Sequence, residues 1–304
     1  MKNLKIAVLM SSYNGEAFIE EQIDSVLAQQ CEASVELWVR DDGSCDRTRD
    51  ILQRYADEGK LRWYSGENLR SAKSFMELVR NSPDCDYYAF CDQDDVWYPD
   101  KLASSLRLLE DQECPAMAFA NARLVDGQLD PIGRNVYNRQ PPLDFYSVVC
   151  GGGILGCTIV FNRRLAQLVK TYCTPDRLVM HDYYCAILCT LFDGVILYDP
   201  QPHMDYRQHG NNVVGTQWTK WAALTDRIRR ITKKSSVTIA QMAQSILSQD
   251  PRPKDAEKLR FLQAVATYPD SAKNTLALAC SRKPRYNGMN MAITMRLSIL
   301  LRNR

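Results

Sequence analysis

Three aspartates fall within the four residues Asp92 to Asp95, directly after the apolar run Asp86 to Cys91. Carboxylates this close raise one another's pKa unless a cation joins them. A hard divalent ion that also takes phosphate oxygens, Mg²⁺ or Mn²⁺, is the natural partner for such a set. An acidic turn that caps the helix predicted at 99–110 explains the spacing equally well. The position at the end of a strand, beside Trp97, favours the metal site.

A second acidic pair, Asp41 and Asp42, follows another strand-like run, VELWV. A carboxylate at such a turn can accept a hydrogen bond from a ribose hydroxyl or a base N–H, and Gly43 lets the backbone bend. Ser44 or Asp46 in the same turn could instead cap the next helix without any ligand. The two roles are compatible, because they can fall on different residues.

Further along, His181 and Asp182 open a predicted helix, and Arg207 and His209 stand in a polar segment. Asp182 could be a base that takes a proton from a hydroxyl, although on position alone a helix cap is favoured. Arg207 offers a cation for phosphate, and His209 offers an imidazole for a metal. The glycine triplet at 151–153 lacks a following Lys-Ser/Thr pair, which excludes a P-loop.

The elements that must position these groups alternate between strand and helix over the first hundred residues. Strands are predicted at 5–10, 35–39, 61–64 and 86–91, and helices at 16–29, 45–58 and 71–80. This alternation predicts a mostly parallel sheet covered on both faces. Ligands bind outside the carboxyl ends of such strands. We therefore expect the loops at 11–15, 41–44 and 92–95 to meet at one edge of the sheet.

Beyond residue 116 the pattern is mixed, with strands predicted at 117–120, 155–161 and 195–198, helices at 165–172 and 183–191, and a polar segment at 206–215. From residue 216 onward only helices are predicted, roughly at 218–232, 237–248, 255–266, 271–280 and 288–302. Residues 216–304 hold 17 Lys and Arg against 5 Asp and Glu, although the whole chain has a net charge of only +2. We therefore predict two parts, an α/β domain at 1–215 and a basic helical extension at 216–304.

The chain has 304 residues, 45% of them hydrophobic, and is long enough to bury a large core. No apolar run reaches the length of about 18 residues that a membrane-spanning helix needs, so none is predicted. Residues 1–10 are better explained as a first strand than as a signal peptide. The 11 cysteines are odd in number and form no CxxC pair. This usage indicates neither a zinc site nor a disulfide framework, and we expect reduced thiols in the cytoplasm.

Six segments carry a resemblance to a known family. In chain order they are LMSSYNGEAFIEEQIDSVLAQ, VRDDGSCDRT, FCDQDDVWYPDKL, CGGGILGCTIVFN, MHDYYCAIL and YRQHGNNVVG, spread over roughly residues 4–215. In this order they resemble the family 2 glycosyltransferases, and most closely their rhamnosyltransferase-like branch. The resemblance implies the GT-A fold, a Rossmann-like α/β architecture with a mixed, mostly parallel sheet flanked by helices. It ends near Gly215 and implies little about the extension.

The resemblance also implies a role for each matching residue. Asp182 would be the catalytic base, although His181 replaces the acidic residue that usually precedes it. Asp94 would bind the metal, with Asp92 and His209 as further ligands and Asp95 in support. The nucleotide sugar would be held by Ser12, Tyr13, Asn14, Asp41, Asp42, Asp92 and Arg207. The acceptor side would be lined by Gly152, Gly153, Trp97 and His181.

The implied reaction is a single displacement that inverts the anomeric carbon of a nucleotide diphosphate sugar, with Mn²⁺ or Mg²⁺ as the cofactor. The branch suggests transfer of L-rhamnose from dTDP-rhamnose to a sugar hydroxyl of a growing, lipid-linked surface polysaccharide or O-antigen. A UDP-hexose transferase of the same family and a non-catalytic nucleotide- or glycan-binding module are the alternatives. The extension could lie on the inner face of the membrane or contact a second copy in a homodimer, and its few aromatic residues disfavour nucleic acid. We expect a cytoplasmic protein, peripheral on the membrane if the extension binds lipid.

Overall fold

The computed structural model describes residues 4–151, 153–172, 174–208 and 237–302. The strands are β1 (Lys5–Ser12), β2 (Ser34–Asp41), β3 (Arg62–Ser65), β4 (Tyr87–Asp92), β5 (Val96–Trp97), β6 (Ala116–Val125), β7 (Pro131–Asn135), β8 (Val160–Asn162) and β9 (Val195–Arg207). The helices are α1 (Ile19–Leu27), α2 (Thr48–Asp57), α3 (Arg70–Asn81), α4 (Lys101–Leu109), α5 (Phe145–Gly151), α6 (Arg163–Thr171), α7 (His181–Leu191), α8 (Ile239–Leu247), α9 (Ala256–Thr267), α10 (Ala272–Ala279) and α11 (Met289–Leu300). The predicted alternation of strand and helix over the first hundred residues is confirmed.

The strands form one sheet of nine strands in the order β3-β2-β1-β4-β8-β6-β9-β5, with β7 paired to β6. Strands β1 to β4 run parallel to one another, and β6 and β9 form a second parallel pair. Strands β5, β7 and β8 are antiparallel to their neighbours. The predicted fold class is therefore confirmed within the described residues: a mixed, mostly parallel sheet flanked by helices, with a helical C-terminal part.

The central strand β1 shows why the sheet needs helices on both faces. Its residues 6–10 are fully buried, and successive side chains of a strand point to opposite faces. Ala7 and Leu9 therefore join one core cluster, whereas Ile6, Val8 and Met10 join the other. Helices α1, α2 and α4 pack on the second of these clusters, and α3 together with α5 to α11 pack on the first.

Two predicted strands change their bounds in the structure. The segment predicted at 155–161 is a strand only at Val160–Asn162, because residues 156–158 form a 3-10 turn in which the Thr158 N–H donates to the Leu155 carbonyl (3.1 Å). The strand predicted at 195–198 continues to Arg207, since β9 stays paired with β6 as far as Val125 and Arg207. Ladder hydrogen bonds hold this polar stretch, which a hydropathy pattern assigns to a loop.

The four helices of the basic extension that the structure describes, α8 to α11, lie close to their predicted positions. Their apolar residues, among them Met242, Leu262 and Ile299, belong to the same core cluster as the sheet residues Ala7 and Leu9. The helix predicted at 218–232 and the predicted boundary at 215 lie outside the described residues. Over the part of the chain that the structure describes, no helix combines the length and the apolar character needed to cross a membrane.

Candidate active site

Strand register brings the predicted loops to one edge of the sheet. At the carboxyl end of β1, Ser11 lies opposite Asp92 of β4, and Ser12 lies opposite Asp41 of β2. Beyond these residues opens a cavity of about 930 Å³, whose walls include Asp42, Asp92, Asp94 and Asp182. The three acidic segments that lie far apart in the sequence therefore share one space, as the rule for carboxyl ends of parallel strands predicts.

The acidic loop after β4 offers carboxylates of the kind that hold a hard divalent ion. Burial, and then the charges of Asp94 and Asp182, raise the pKa of Asp92 to about 7. A bound cation would remove this repulsion. Asp95 is fully buried, and its Oδ1 accepts from the backbone N–H of Arg207 (3.1 Å). Among the described residues its Oδ2 has no hydrogen-bond partner. Asp92 and Asp94, which both line the cavity, thus fit a hard divalent ion, and Asp95 supports the loop.

Cys157 lies behind this loop. Its sulfur and a carboxylate oxygen from each of Asp92 and Asp95 lie within 4.8 Å of one another. Burial, and then the charges of Asp95 and Asp92, raise the pKa of the Cys157 thiol well above its usual value. The thiol is therefore protonated, and it packs against the carboxylates as a neutral neighbour.

Asp182 stands in the first turn of α7, with its side chain on the cavity wall. Burial raises the pKa of this carboxyl to about 6, and hydrogen bonds from backbone N–H groups, including that of Tyr183 (2.6 Å), act in the opposite direction. The side chain fits because residue 156 is glycine: a Cβ on Gly156 would lie 3.0 Å from Oδ2 of Asp182. A carboxylate with a pKa near working pH is suited to take a proton.

The two aspartates after β2 have different positions. Asp42 lines the cavity and pairs with the guanidinium of Arg40. Asp41 is fully buried, and its Oδ2 accepts from Arg49 (2.9 Å) and from the hydroxyl of Ser65 (2.9 Å). We therefore assign Asp42 to the ligand side of the turn and Asp41 to its internal support.

Of the residues at the end of β1 and just after it, some line the cavity and others stabilise the loop. Tyr13 lines the cavity and is 48% exposed, which leaves its ring available for stacking. Ser12 is fully buried, and the side-chain oxygen of Asn14 accepts from the backbone N–H of Cys45 (2.9 Å). Asn14 also has a positive φ of 48°, which asparagine tolerates better than most residues. Ser12 and Asn14 shape the loop, and neither lines the cavity.

Arg207 is 2% exposed, and its guanidinium is bound into the protein. It donates to the carbonyls of Asp94 (2.8 Å) and Gly127 (2.7 Å), pairs with Glu21, and lies 4.6 Å from the ring centroid of Phe18. In this arrangement Arg207 holds the backbone of the acidic loop. The predicted grip on the diphosphate stays a prediction, since the cavity wall does not include the Arg207 side chain.

The predicted acceptor residues are only partly brought together. Gly153 and His181 line the cavity, whereas Trp97 is 3% exposed in the core, where the ammonium group of Lys101 lies 3.7 Å from its ring centroid. Trp97 is thus a packing residue, because β5 pairs with β9 and turns this side chain away from the cavity. The predicted residues Gly152 and His209 lie outside the described part of the chain.

His181 is unusual among the cavity residues. Its ring stacks on Phe75 with a centroid distance of 4.0 Å and meets the edge of Phe90 at 4.6 Å. Burial lowers the pKa of His181 to about 3. Within the described residues, neither ring nitrogen has a hydrogen-bond partner. Burial thus keeps this imidazole neutral, and both of its ring nitrogens are shielded from the solvent in the cavity.

Several cavity residues are not predicted from the sequence. Gln93 donates to the Tyr13 carbonyl (3.0 Å) and accepts from the Tyr13 N–H (2.9 Å), so it joins two loops of the site. Arg70 lines the cavity at the start of α3, after the end of β3, where the rule for strand ends could have placed it. Met295 and Tyr286 bring the extension into the wall, and no sequence pattern indicates this contact.

The sequence profile described as Glycosyl transferase family 2 matches residues 7–156 of the chain. The dTDP-rhamnosyl transferase RfbG of Shigella flexneri is 28% identical over 228 residues, which cover 68% of this chain and 73% of that protein. TuaG of Bacillus subtilis, named as a teichuronic acid biosynthesis glycosyltransferase, is 32% identical over 217 residues, 70% of this chain and 82% of TuaG. A glucosyltransferase of Escherichia coli, WfgD, named for a GlcNAc-diphosphoundecaprenol acceptor, is 27% identical over 165 residues, 54% of this chain and 63% of WfgD.

Solved structures share the fold at low identity. TarS of S. aureus in complex with UDP-GlcNAc superposes with a TM-score of 0.58 at 13% identity, over 98% of this chain and 92% of that one. The mannosyltransferase PcManGT of Pyrobaculum calidifontis, in complex with GDP-Man and Mn²⁺, gives a TM-score of 0.55 at 16% identity, over 98% and 74%. The sheet topology, the cavity at its strand ends and the identity with TuaG agree: the chain belongs to the family 2 glycosyltransferases and has the GT-A fold.

Proposed function

We propose that this glycosyltransferase is metal-dependent and inverting, and that it transfers a sugar from a nucleotide diphosphate donor to a hydroxyl of a cell-surface glycan. The observation that carries the proposal is the placement of Asp182 and of the pair Asp92 and Asp94 on the walls of one cavity. The base for the acceptor and the carboxylates for the leaving group are then within one substrate's reach. A binding module without turnover would need neither the buried base nor the acidic pair.

Asp182 performs the proton transfer in this mechanism. Its carboxylate takes the proton of the acceptor hydroxyl while that oxygen forms a bond to the anomeric carbon and the bond from this carbon to the diphosphate breaks. The nucleotide diphosphate leaves with the bonding electron pair. Because the attack comes from the face opposite the leaving group, one displacement inverts the anomeric configuration. The Gly156 backbone leaves the space in which the Asp182 carboxylate lies.

Asp94 and Asp92 would hold a divalent ion, Mn²⁺ or Mg²⁺, which when bound neutralises charge on the leaving diphosphate. Asp42 and Tyr13 line the donor side of the cavity. Tyr13 offers a ring for stacking against the base, and Asp42 offers acceptor oxygens for ribose or base. The Mn²⁺ in the complex of PcManGT supports the choice of metal.

For the donor we propose dTDP-L-rhamnose, whose β-linkage gives an α-rhamnoside on inversion; the name of RfbG supports this choice. A UDP-hexose is the second candidate, which the names of WfgD and of the TarS complex favour. For the acceptor we propose a growing polysaccharide carried on a polyprenyl diphosphate, by analogy with the name of WfgD. Such an acceptor would place the enzyme at the cytoplasmic face of the membrane.

The donor is tested by thermal-shift measurements with dTDP-, UDP- and GDP-sugars, each with and without Mn²⁺. We expect the midpoint of unfolding to rise selectively with dTDP-rhamnose, and only when the metal is present. A selective rise with a UDP-sugar would contradict dTDP-rhamnose as the donor and support the second candidate, a UDP-hexose. No metal-dependent rise with any donor would refute the proposed metal site.

The base and metal assignments are tested with Asp182→Asn and Asp94→Asn. Asp182→Asn should lower transfer by about 10²- to 10⁴-fold while the donor and Mn²⁺ still raise the unfolding midpoint. Asp94→Asn should abolish that metal-dependent rise as well as transfer. Asp57→Asn, on the exposed side of α2, is the matched control and should change neither. Near-normal turnover by Asp182→Asn would remove the base assignment.

A further inference from the structure

The last helix of the described chain, α11, carries a stripe of apolar residues on its exposed side. Met289, Ile293, Leu297 and Leu300 recur every three or four residues and therefore share one side of the helix. All four are exposed, Met289 by 79% and Ile293 by 50%. Outside α11 and the neighbouring Leu276 and Leu301, the only other large apolar side chains exposed among the described residues are Tyr13 and Leu27. We call the four residues Met289, Ile293, Leu297 and Leu300 the outer stripe.

The opposite side of α11 is equally unusual because it buries polar residues. Thr294 and Ser298 are 5% and 1% exposed, and their hydroxyls donate to the carbonyls of Asn290 (2.9 Å) and Thr294 (2.8 Å) within the helix. Both residues line the cavity together with Met295. Met295 and Ile299 are buried on this side as well, so α11 presents apolar residues both inward and outward, whereas a helix on an aqueous surface presents polar residues outward. An environment other than water must therefore stabilise the outer stripe.

Charge indicates what that environment is. Residues 271–304 contain seven Lys and Arg and no Asp or Glu. Arg302 lies two residues beyond Leu300 and is exposed, and Arg296 lies beside the outer stripe, where its guanidinium donates to the Ser281 carbonyl (3.3 Å). An apolar helix face bordered by basic residues is the composition of helices that lie in the interface of an anionic membrane. A second copy of the chain would bring a like-charged surface to the same face, which disfavours a dimer there.

We propose that the outer stripe of α11 binds a lipid surface with anionic headgroups. The inner side of the same helix forms part of the cavity wall, so this lipid-binding surface lies next to the acceptor side of the site. An acceptor on a polyprenyl carrier would thus stay anchored in the lipid while its sugar enters the cavity. Only this last step rests on the proposed function, since binding to lipid requires no turnover.

Flotation with vesicles of phosphatidylcholine, with and without phosphatidylglycerol, tests whether the outer stripe binds lipid. The wild-type chain should float with the anionic vesicles and much less with the neutral ones, and added salt should weaken binding. The double variant Ile293→Asp, Leu297→Asp should lose binding by about ten-fold or more, because each substitution removes the burial of one large apolar side chain. Leu27→Asp, at the exposed end of α1, is the matched control and should float like the wild type.

Circular dichroism and the donor-dependent thermal shift establish that each variant is folded and that its donor site is intact. Wild-type-like flotation of the double variant, or no flotation of the wild type, would overturn the proposal. A dimer in light scattering that Leu297→Asp converts to a monomer would overturn it too, since a second copy would then cover the outer stripe. If flotation depends on the outer stripe but no donor shifts the unfolding midpoint, the lipid-binding proposal is supported and the proposed function is contradicted.

Discussion

Asp182 is a charged group in a position that disfavours charge. Burial raises its pKa from 3.8 to about 6, so the folded chain binds this proton more tightly than the unfolded chain does. Folding is therefore not penalised below pH 3.8, and the penalty grows as the pH rises toward the folded-state pKa. Above that value it reaches about 3 kcal/mol, from a shift of about two pKa units. The Asp182 carboxylate is thus maintained at a cost in stability that the rest of the fold offsets.

This cost gives a prediction for Asp182→Asn, which removes the charge and keeps the shape. At pH 8 the variant should be more stable than the wild type by up to about 3 kcal/mol in the free energy of unfolding. Near pH 4 the difference should shrink to about 0.5 kcal/mol, because the carboxyl is then protonated in the folded state and only partly ionised in the unfolded chain. Urea unfolding at both pH values measures the difference. A variant that is less stable at pH 8 would contradict the placement of Asp182 in a desolvated site.

Gly156 sets the position of the Asp182 carboxylate without contributing a side chain. A Cβ at residue 156 would lie 3.0 Å from Oδ2 and 3.3 Å from Cβ of Asp182, closer than ordinary van der Waals contact. Gly156→Ala should therefore displace the carboxylate and lower kcat by roughly 10²-fold, with little change in the affinity for the donor. Steady-state kinetics with varied donor separate the two effects. Gly127→Ala is the control, since nothing lies within 4 Å of its added Cβ, and equal losses in both variants would refute the steric argument.

At the scale of elements, the site depends on contacts between loops that follow different strands. Gln93 of the acidic loop makes both backbone hydrogen bonds of Tyr13 in the loop after β1. The next residue but one, Gly15, leaves room for the Gln93 side chain, because a Cβ there would lie 2.2 Å from its Oε1. The acidic loop after β4 and the loop after β1 are thereby fixed to each other.

A double-mutant cycle tests this contact. Gly15→Ala should destabilise the chain by about 1 to 3 kcal/mol through overpacking. In the background of Gln93→Ala the same substitution should cost much less, because the group with which the new methyl collides is gone. Unfolding midpoints of the four proteins give the coupling free energy. A coupling near zero would mean that the two loops are held together by other contacts.

The elements themselves could be predicted to a large extent from the sequence, whereas their contacts could not. The period-2 and helical patterns gave β1, β2, β4 and the first three helices within a few residues. The same patterns cannot distinguish Asp42, which lines the cavity, from Asp41, which is bound to Arg49 and Ser65. Two adjacent residues of one turn differ only in the direction of their side chains, and that direction depends on strand pairing.

Arg207 and Trp97 illustrate the same limit. A basic residue and an aromatic residue near an acidic loop suggest ligand contacts from their chemistry alone. The extension of β9 to residue 207 instead brings Arg207 under the acidic loop, and the pairing of β5 with β9 places Trp97 in the core. Trp97 lies in a strand of only two residues, and Arg207 is the last residue of its strand. Strand pairings this short or this close to a strand end leave little hydrophobic pattern in the sequence.

At the scale of the whole molecule, the acidic first part and the basic extension are packed on a common core. Helix α9 is joined to the end of α7 through Lys258, whose ammonium group donates to the Thr190 carbonyl (2.7 Å) and to Asp193 (2.6 Å). Phe261 on the same helix contacts Tyr146 of α5 at a ring distance of 5.0 Å. The extension therefore supports the helices that carry Asp182 and the glycine segment, in addition to its contact with the cavity.

If one core serves both parts, the chain should unfold in a single cooperative transition, and a cavity in the extension should weaken the whole. Leu262 is fully buried in α9, so Leu262→Ala should cost about 2 to 5 kcal/mol and lower the one calorimetric midpoint by several degrees. Leu276→Ala, exposed on α10, should leave it nearly unchanged. The alternative outcome is two transitions, of which the donor stabilises only one and Leu262→Ala lowers only the other. That outcome would establish the extension as a domain that folds independently of residues 1–215.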